Sequence, residues 1–295
     1  MKLSIIVPVY NLEKFISATL ESLLSIDFPY DYEIILIDDG SSDNSRAVIE
    51  EYCKKTDKIC LISIDNAGVS NARNVGLRRV TGEYVSFVDG DDTVEQDFFK
   101  TAIQELDAGG FDFVQANIRI VMGDKNKYIQ FNPEDEVIRD RNTMLERFFG
   151  PGKKLNNSAC AKVFRTDLLR DKAFDCSIRI AEDQKFVFDV IQSAKAIKLL
   201  KIVGYNYLQR TDSAMHELDR NRAEDILKVL DYCRDGIDSD RVRKLIDADR
   251  LDILFFIYHD RLINSEDCEQ VYSEIIALDR KKLKKTMSHK AQVKA

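Results

Sequence analysis

The chain has 295 residues, a formal net charge of −7 and 32% charged residues. That length suits one large domain or a domain with an appended subdomain, and the acidic balance argues against a general nucleic-acid binder. Six cysteines, at positions 53, 60, 160, 176, 233 and 268, form no Cys-x-x-Cys pair and no zinc spacing with the three histidines, so the reduced thiols of a cytosolic protein are expected.

The N-terminus runs directly into Leu3–Val9, an apolar run too short for a signal peptide. Such near-continuous runs belong to parallel strands covered on both faces. A helix follows with Phe15, Ile16, Leu20, Leu23 and Leu24 on one side. The second buried strand, Glu33–Ile37, stops at Asp38-Asp39-Gly40-Ser41-Ser42-Asp43, where Asp43 is placed to cap a helix through Val48, Ile49 and Tyr52. A third strand, Ile59–Ile64, leads into Asp65-Asn66-Ala67-Gly68 and a helix carrying Ala72-Arg73-Asn74 and Gly76. The fourth holds Tyr84, Val85, Phe87 and Val88 and ends in Asp89-Gly90-Asp91-Asp92. Strand and helix alternate, so the expected fold class is α/β with a mainly parallel sheet flanked by helices.

Three carboxylates at the end of a core strand repel one another, and a divalent cation is the natural compensation. Hard oxygen ligands point to Mn²⁺ or Mg²⁺, metals that take one or two protein carboxylates and fill the remaining positions with substrate phosphate and water. Asp-Gly-Asp-Asp is also an ordinary turn sequence. Position tips the balance: ligands of open α/β sheets bind beyond the carboxyl ends of the strands. Tyr10-Asn11, Asp38-Asp39, Asn66 with Gly68, and Asp89-Gly90-Asp91-Asp92 each follow such an end, and so should converge on one crevice. Each also has a local use, Asp38 and Asp43 as caps, Gly40 and Gly68 as turns. No Gly-x-Gly-x-x-Gly or Gly-x-x-x-x-Gly-Lys-Ser/Thr motif follows the first strand. A bound phosphate would therefore rest on metal and on Arg73.

Taken in order, Ile6-Val7-Pro8-Val9-Tyr10-Asn11, Asp38-Asp39-Gly40-Ser41-Ser42-Asp43, Asn66-Ala67-Gly68-x-Ser70-x-Ala72-Arg73-Asn74-x-Gly76 and Asp89-Gly90-Asp91-Asp92 resemble the signature of glycosyltransferase family 2 on a GT-A fold. The resemblance, close over about the first 100 residues, implies a site for a nucleotide-diphospho-sugar, with UDP the expected nucleotide. It implies that Pro8, Val9 and Tyr10 border the nucleobase, with Asn11, Asn66 and Gly90 in the same crevice. Asp39, with Asp38 beside it, would accept hydrogen bonds from the base. Arg73 would lie near base or pyrophosphate, Asp89 would face the ribose, and Asp91 would ligate the metal, with Asp92 a further candidate.

Past a helix at Lys100–Leu106, Phe111–Val121 reads as a strand, and turn residues between Met122 and Arg139 suggest a hairpin. Ala159-Cys160-Ala161-Lys162-Val163-Phe164-Arg165 with Leu168-Leu169 resembles the family's acceptor-side strand and short helix, and makes Lys162 a candidate. Glu182-Asp183 opens an amphipathic helix and resembles the family's Glu-Asp motif, whose second acid is the catalytic base. Acids in a first helical turn also suit the helix dipole. Ala181 stands where many relatives have glycine. Ile197–Leu208 alternates as an edge strand would, and the loop Arg210–His216 resembles one that closes over the diphosphate in relatives, so that Arg210 and His216 are candidates for phosphate or metal.

From Asp219 onward apolar positions recur at helical spacing, giving an expected division into a GT-A domain, 1–218 (nucleotide half 1–108, acceptor half 109–218), and a helical subdomain, 219–295. The basic run Arg280–Lys285 suits a solvated terminus or peripheral contact with anionic lipid. No run approaches the ~20 apolar residues of a membrane span. The expectation is a cytoplasmic, metal-dependent, inverting glycosyltransferase that modifies a saccharide or lipid-linked saccharide in surface-polysaccharide synthesis. Tryptophan is absent, and with it the Gln-x-x-Arg-Trp motif of processive synthases, which favours single-sugar addition. The rival readings are a non-catalytic sugar-nucleotide-binding subunit and a sugar-phosphate nucleotidylyltransferase, the latter disfavoured by Pro-Val-Tyr-Asn where a glycine-rich basic loop is needed.

Overall fold

A computed structural model describes residues 2–122, 125–129, 132–210, 219–264 and 266–278 of the chain. All seven residues of β1 (Leu3–Val9) are buried, as a strand covered on both faces requires. It lies between β2 (Tyr32–Asp38) and β4 (Tyr84–Phe87), parallel to both, and β3 (Ile59–Ser63) continues the parallel order beyond β2. Val9 pairs with Asp38, and Asp38 with Ser63. That register brings the polar segments after these strands out on one edge of the sheet.

The helices α1 (Ile16–Leu24), α2 (Ser45–Cys53) and α3 (Val69–Leu77) make the crossovers. α3 sits close on β1: a Cβ added at Gly76 would come within 2.5 Å of Ile6 Cγ2. Asp43 does not cap α2 in the expected way, because the N-cap is Asn44. Asp43 Oδ1 instead accepts from the Ser45 amide at 2.9 Å, while Oδ2 takes the Glu13 amide at 3.0 Å, tying two loops together.

The chain continues through β5 (Thr93–Val94), α4 (Phe98–Gly109), β6 (Phe113–Met122), β7 (Lys125–Ile129), β8 (Glu136–Ile138), α5 (Arg141–Phe149), β9 (Lys162–Arg165), α6 (Glu182–Ser193) and β10 (Ile197–Leu208), whose strands extend the sheet. The strand order is β3-β2-β1-β4-β9-β6-β10-β5, with β7 on β6 and β8 on β10. β6 and β10 run parallel, and β9 is the antiparallel link between β4 and β6. The expected hairpin is present as β6 and β7, which pair antiparallel. β10 is not the edge strand that its alternation suggested: β6 lies on one side, and β5 and β8 cover the other. Those two are too short to leave a strand pattern in the sequence.

Two compact units divide the chain. The first is Met1–Ser177 with Glu182–Ser213, and the second takes in Ile178–Ala181 and the helices α7 (Arg220–Asp235), α8 (Asp240–Ile263) and α9 (Glu269–Leu278). The helical unit has its own core of Ala223, Leu251, Leu254, Ile257, Val271 and Ile275. Asp219 and Ser239 accept from the first-turn amides of α7 and α8, the capping role that fixes where such helices begin. No described helix is long and apolar enough to cross a membrane. The basic run at 280–285 lies outside the described residues.

Because the Ile6 methyl at Gly76 is fully buried, it has nowhere to move. Gly76→Ala should lower stability by about 1–3 kcal/mol through overpacking, despite the ~1 kcal/mol gain in helix propensity. Urea unfolding checks the sign.

Candidate active site

The four polar segments do converge. The Asp39 amide donates to Val9 O at 2.9 Å. Asn11, held at φ 53°, donates its amide to Ser41 Oγ at 3.0 Å and accepts from the Ser42 amide at 2.8 Å. Gly90 packs where a Cβ would lie 3.0 Å from Pro8 O, and its carbonyl accepts from Thr19 Oγ1 at 2.9 Å. Pro8 and Val9 are buried, whereas the Tyr10 ring is half-exposed at the strand end.

Asp38 and Asp39 are both buried and both serve the loops. The Asp38 carboxylate accepts from the Ser41 amide, and the two oxygens of Asp39 each accept an amide at 2.8 Å, from Ala67 and Gly68 at the start of α3. Asn66 Nδ2 donates to Asp39 O at 3.0 Å. Gly40, at φ 71°, makes this contact possible, since a Cβ there would strike Asn66 N at 2.9 Å.

Arg73 is the centre of the cluster. α3 carries it into the interior, where its side chain is 4% exposed. Nη2 donates to Asp89 Oδ1 at 2.9 Å, and Nη1 donates to Glu182 Oε1 at 3.0 Å and Asp183 Oδ1 at 2.9 Å. The guanidinium also lies 5.2 Å from the centroid of Phe174, whose ring stacks on Phe186 at 4.0 Å. Burial works against the Arg73 charge, but Asp183, Asp89 and Glu182 outweigh it and hold the group well above its ordinary range. Within the protein, Arg73 thus faces three acids.

Asp183 is held from the other side as well. Its Oδ2 accepts from Ser158 Oγ at 3.1 Å and from the Ala159 amide at 3.0 Å. Glu182, mostly buried beside it, is pushed up to about 7 by burial and then by the Asp183 charge. Ala181, at φ 69°, turns the chain into α6, the left-handed conformation that glycine adopts freely.

The three acids after β4 part company. Asp91 pairs with Arg210 Nε at 3.2 Å, and the Arg210 guanidinium lies 5.0 Å from the Phe15 ring. Asp92 turns inward instead of joining them: it is buried, and accepts from Tyr205 Oη at 2.7 Å and the Leu208 amide at 2.8 Å. Burial, then Asp89 and Asp91, raises it well above the usual carboxylate range. Tyr205 Oη also accepts from the Asp89 amide at 3.1 Å, so one hydroxyl fixes the relation between two of the acids. Among the described residues no group of three His, Cys, Asp or Glu side chains is arranged to hold a metal ion. His216 lies outside the described residues.

Lys162 is fully buried, and its ammonium donates to Asn156 O at 3.0 Å, to Asn156 Oδ1 and to Ser158 O at 2.6 Å. Burial lowers it to about 7. Sequence reasoning did not single out Ser158, Phe174 or Tyr205 for the site. Ser158 had one available signal, its place just ahead of the Ala-Cys-Ala-Lys segment; nothing local marks the other two.

Residues 4–171 match the family described as Glycosyl transferase family 2. Among curated proteins the chain is 32% identical over 213 residues to Uncharacterized glycosyltransferase EpsJ of Bacillus subtilis, covering 71% of this chain and 62% of that protein. It is 29% identical over 234 residues to Poly(ribitol-phosphate) beta-N-acetylglucosaminyltransferase TarS of Staphylococcus aureus, covering 78% of this chain and 39% of TarS. The chain thus spans less than two thirds of these relatives. The crystal structure of S. aureus TarS 1-349 in complex with UDP-GlcNAc superposes with a TM-score of 0.73 at 26% identity, covering 94% of this chain and 79% of that one.

Removing Arg73 would leave three acids facing one another, so Arg73→Met should cost about 3–5 kcal/mol in urea unfolding. The pH dependence of stability has two opposite limbs. Glu182 rises from 4.5 to about 7 on folding, so the folded state holds the extra proton and stability falls as pH climbs through that window. Lys162 drops from 10.5 to about 7, so the folded state holds fewer protons above 7 and stability recovers as pH climbs further. Each limb has a limiting slope of ~1.4 kcal/mol per pH unit. Glu182→Gln should flatten the first and Lys162→Met the second.

Proposed function

The chain belongs to glycosyl transferase family 2, and from that premise we propose that it transfers one sugar, with inversion, from a UDP-sugar to a hydroxyl of a saccharide or lipid-linked saccharide. The observation that carries this reading is the shared guanidinium: Arg73 binds Asp89 of the donor motif and Asp183 of the Glu-Asp motif at once. Donor and acceptor chemistry then meet in one cluster. Family membership argues against the nucleotidylyltransferase alternative. The UDP-GlcNAc complex of TarS supports UDP as the nucleotide, and the TarS name, which gives poly(ribitol-phosphate) as what it modifies, supports a polymer hydroxyl as acceptor, here read as one of surface-polysaccharide synthesis.

In this reading the acceptor hydroxyl attacks the anomeric carbon from the face opposite the diphosphate. Its oxygen forms the new glycosidic bond, the bond to the diphosphate breaks, and Asp183 takes the proton. A carboxylate offers about four acceptor sites; three of those on Asp183 are engaged by Arg73, Ser158 and Ala159, which leaves Oδ1 a directed lone pair for the hydroxyl. Tyr10, half-exposed beyond β1, offers a ring to the uracil, bordered by Pro8 and Val9. Asp38, Asp39, Asn11 and Asn66 shape that crevice through the loop bonds they make, and Asp89 stays available to the ribose on its exposed side.

The family implies a divalent cation. The donor chemistry fits: Asp91 supplies a hard carboxylate oxygen at the strand end, Asp92 is turned away, and Mn²⁺ or Mg²⁺ commonly uses a single protein acid beside a diphosphate. Such an ion would lie at Asp91 and stabilise charge on the departing diphosphate. Arg210 already pairs with Asp91 at that end. The reaction would take place in the cytoplasm, with the basic run at 280–285 suited to anionic lipid.

Two variants separate the roles. UDP-GlcNAc with Mn²⁺ should raise the melting temperature of the wild type and of Asp183→Asn, but not of Asp91→Ala. Release of UDP should fall by ~10²–10⁴-fold in Asp183→Asn, the usual worth of a general base. Wild-type turnover in Asp183→Asn would remove the base from this reading.

A further inference from the structure

Lys162 stands in β9 with no exposed surface, paired in register with Gln115 of β6. A buried ammonium normally finds a carboxylate. This one donates three hydrogen bonds to uncharged oxygens, all of them on Asn156 and Ser158. The short segment they belong to is otherwise held by Gln115, whose Oε1 accepts from the Asn156 amide at 2.9 Å. Its far end carries the two groups that reach the candidate base, Ser158 Oγ and the Ala159 amide, both on Asp183 Oδ2. Ser158 Oγ is itself fixed by the Cys160 amide at 3.0 Å, and Ala161, at φ 58°, redirects the chain into β9.

We propose that Lys162 is a positioning residue for the transfer reaction: its ammonium clamps the Asn156–Ser158 turn so that Ser158 and Ala159 keep the Asp183 carboxylate aimed. This rests on the reading of Asp183 as the base. The clamp depends on charge state. An ammonium brings three N–H donors, one for each oxygen; a neutral amine brings two and a lone pair, which must point at an oxygen. The charged and titratable groups facing Lys162 are Asp183 from α6 and Cys160 from its own segment, and both favour the charged form against burial. The turn should therefore loosen as pH rises past neutrality.

Hydrogen exchange of the peptide 155–161, corrected for the intrinsic pH dependence of exchange, tests this without any acceptor. At pH 6 the amides of this peptide should exchange at least tenfold faster in Lys162→Met than in the wild type. The wild type should lose that protection by pH 9, whereas Lys162→Arg, charged throughout, should keep it. With UDP-GlcNAc as substrate, Lys162→Met should lower kcat for UDP release at least tenfold while leaving the donor KM within about twofold. Equal exchange in Lys162→Met and wild type at pH 6, or wild-type protection that is flat from pH 6 to 9, would overturn the proposal. If Lys162→Met does not fold, the wild-type pH profile alone decides. Full turnover in Asp183→Asn beside a loosened turn in Lys162→Met would remove the base and leave the clamp. Lost turnover in Asp183→Asn beside an undisturbed turn would do the reverse.

Discussion

One buried guanidinium facing three carboxylates is the interaction on which the rest of this molecule is built. Taking Arg73 and its acids out of water costs several kcal/mol per ion, and the pairing returns that only because the geometry is good. Each of the three bonds is 2.9–3.0 Å long, and the planar fork of arginine presents its donors in a rigid geometry that suits carboxylates. One positive charge against three negative ones leaves the cluster acidic. Glu182 absorbs part of the excess by moving up to about 7.

The sheet delivers the partners of that cluster. Parallel β1, β2 and β4 end together, so Val9, Asp38 and the Asp89–Asp92 segment emerge on one edge. β10 adds Tyr205, whose hydroxyl joins the Asp89 amide to the Asp92 carboxylate. Under the site, Phe87 packs edge-on against Phe164, Phe174 and Phe186. The Arg73 guanidinium lies 5.2 Å from the Phe174 ring of that layer. Two cationic side chains then hold the acids in different ways: Arg73 by direct pairing, Lys162 through the backbone of the turn that bonds Asp183.

The N-terminal half of the sheet was legible because its strands are continuous apolar runs, and Leu3–Val9 was read to the residue. The family resemblance named Asp89, Asp91, Glu182 and Asp183 as candidates, and the structure brings three of them, Asp89, Glu182 and Asp183, onto Arg73. Partner choice was not legible. Nothing in Asp-Gly-Asp-Asp says that Asp92 turns inward, since that depends on Tyr205, 113 positions away. Nor could the sequence show that Arg73 pairs with Glu182 and Asp183, since these acids lie over 100 positions on. β10 looked like an edge because β5 and β8, its outer neighbours, are two and three residues long. Lys162 drew notice as part of a resemblance, while its function as a clamp follows from three carbonyl-type acceptors that sequence does not display.

The central proposal is that Arg73 stays on its acids when nucleotide binds, and so keeps Asp89 and the proposed base Asp183 together. A crystal structure with UDP and Mn²⁺ bound tests it most directly. The account predicts the diphosphate beside Asp91, the uracil against Tyr10, and Arg73 still bonded to both Asp89 and Asp183. A nucleotide bound elsewhere, or Arg73 swung onto the diphosphate with Asp183 released, would contradict it.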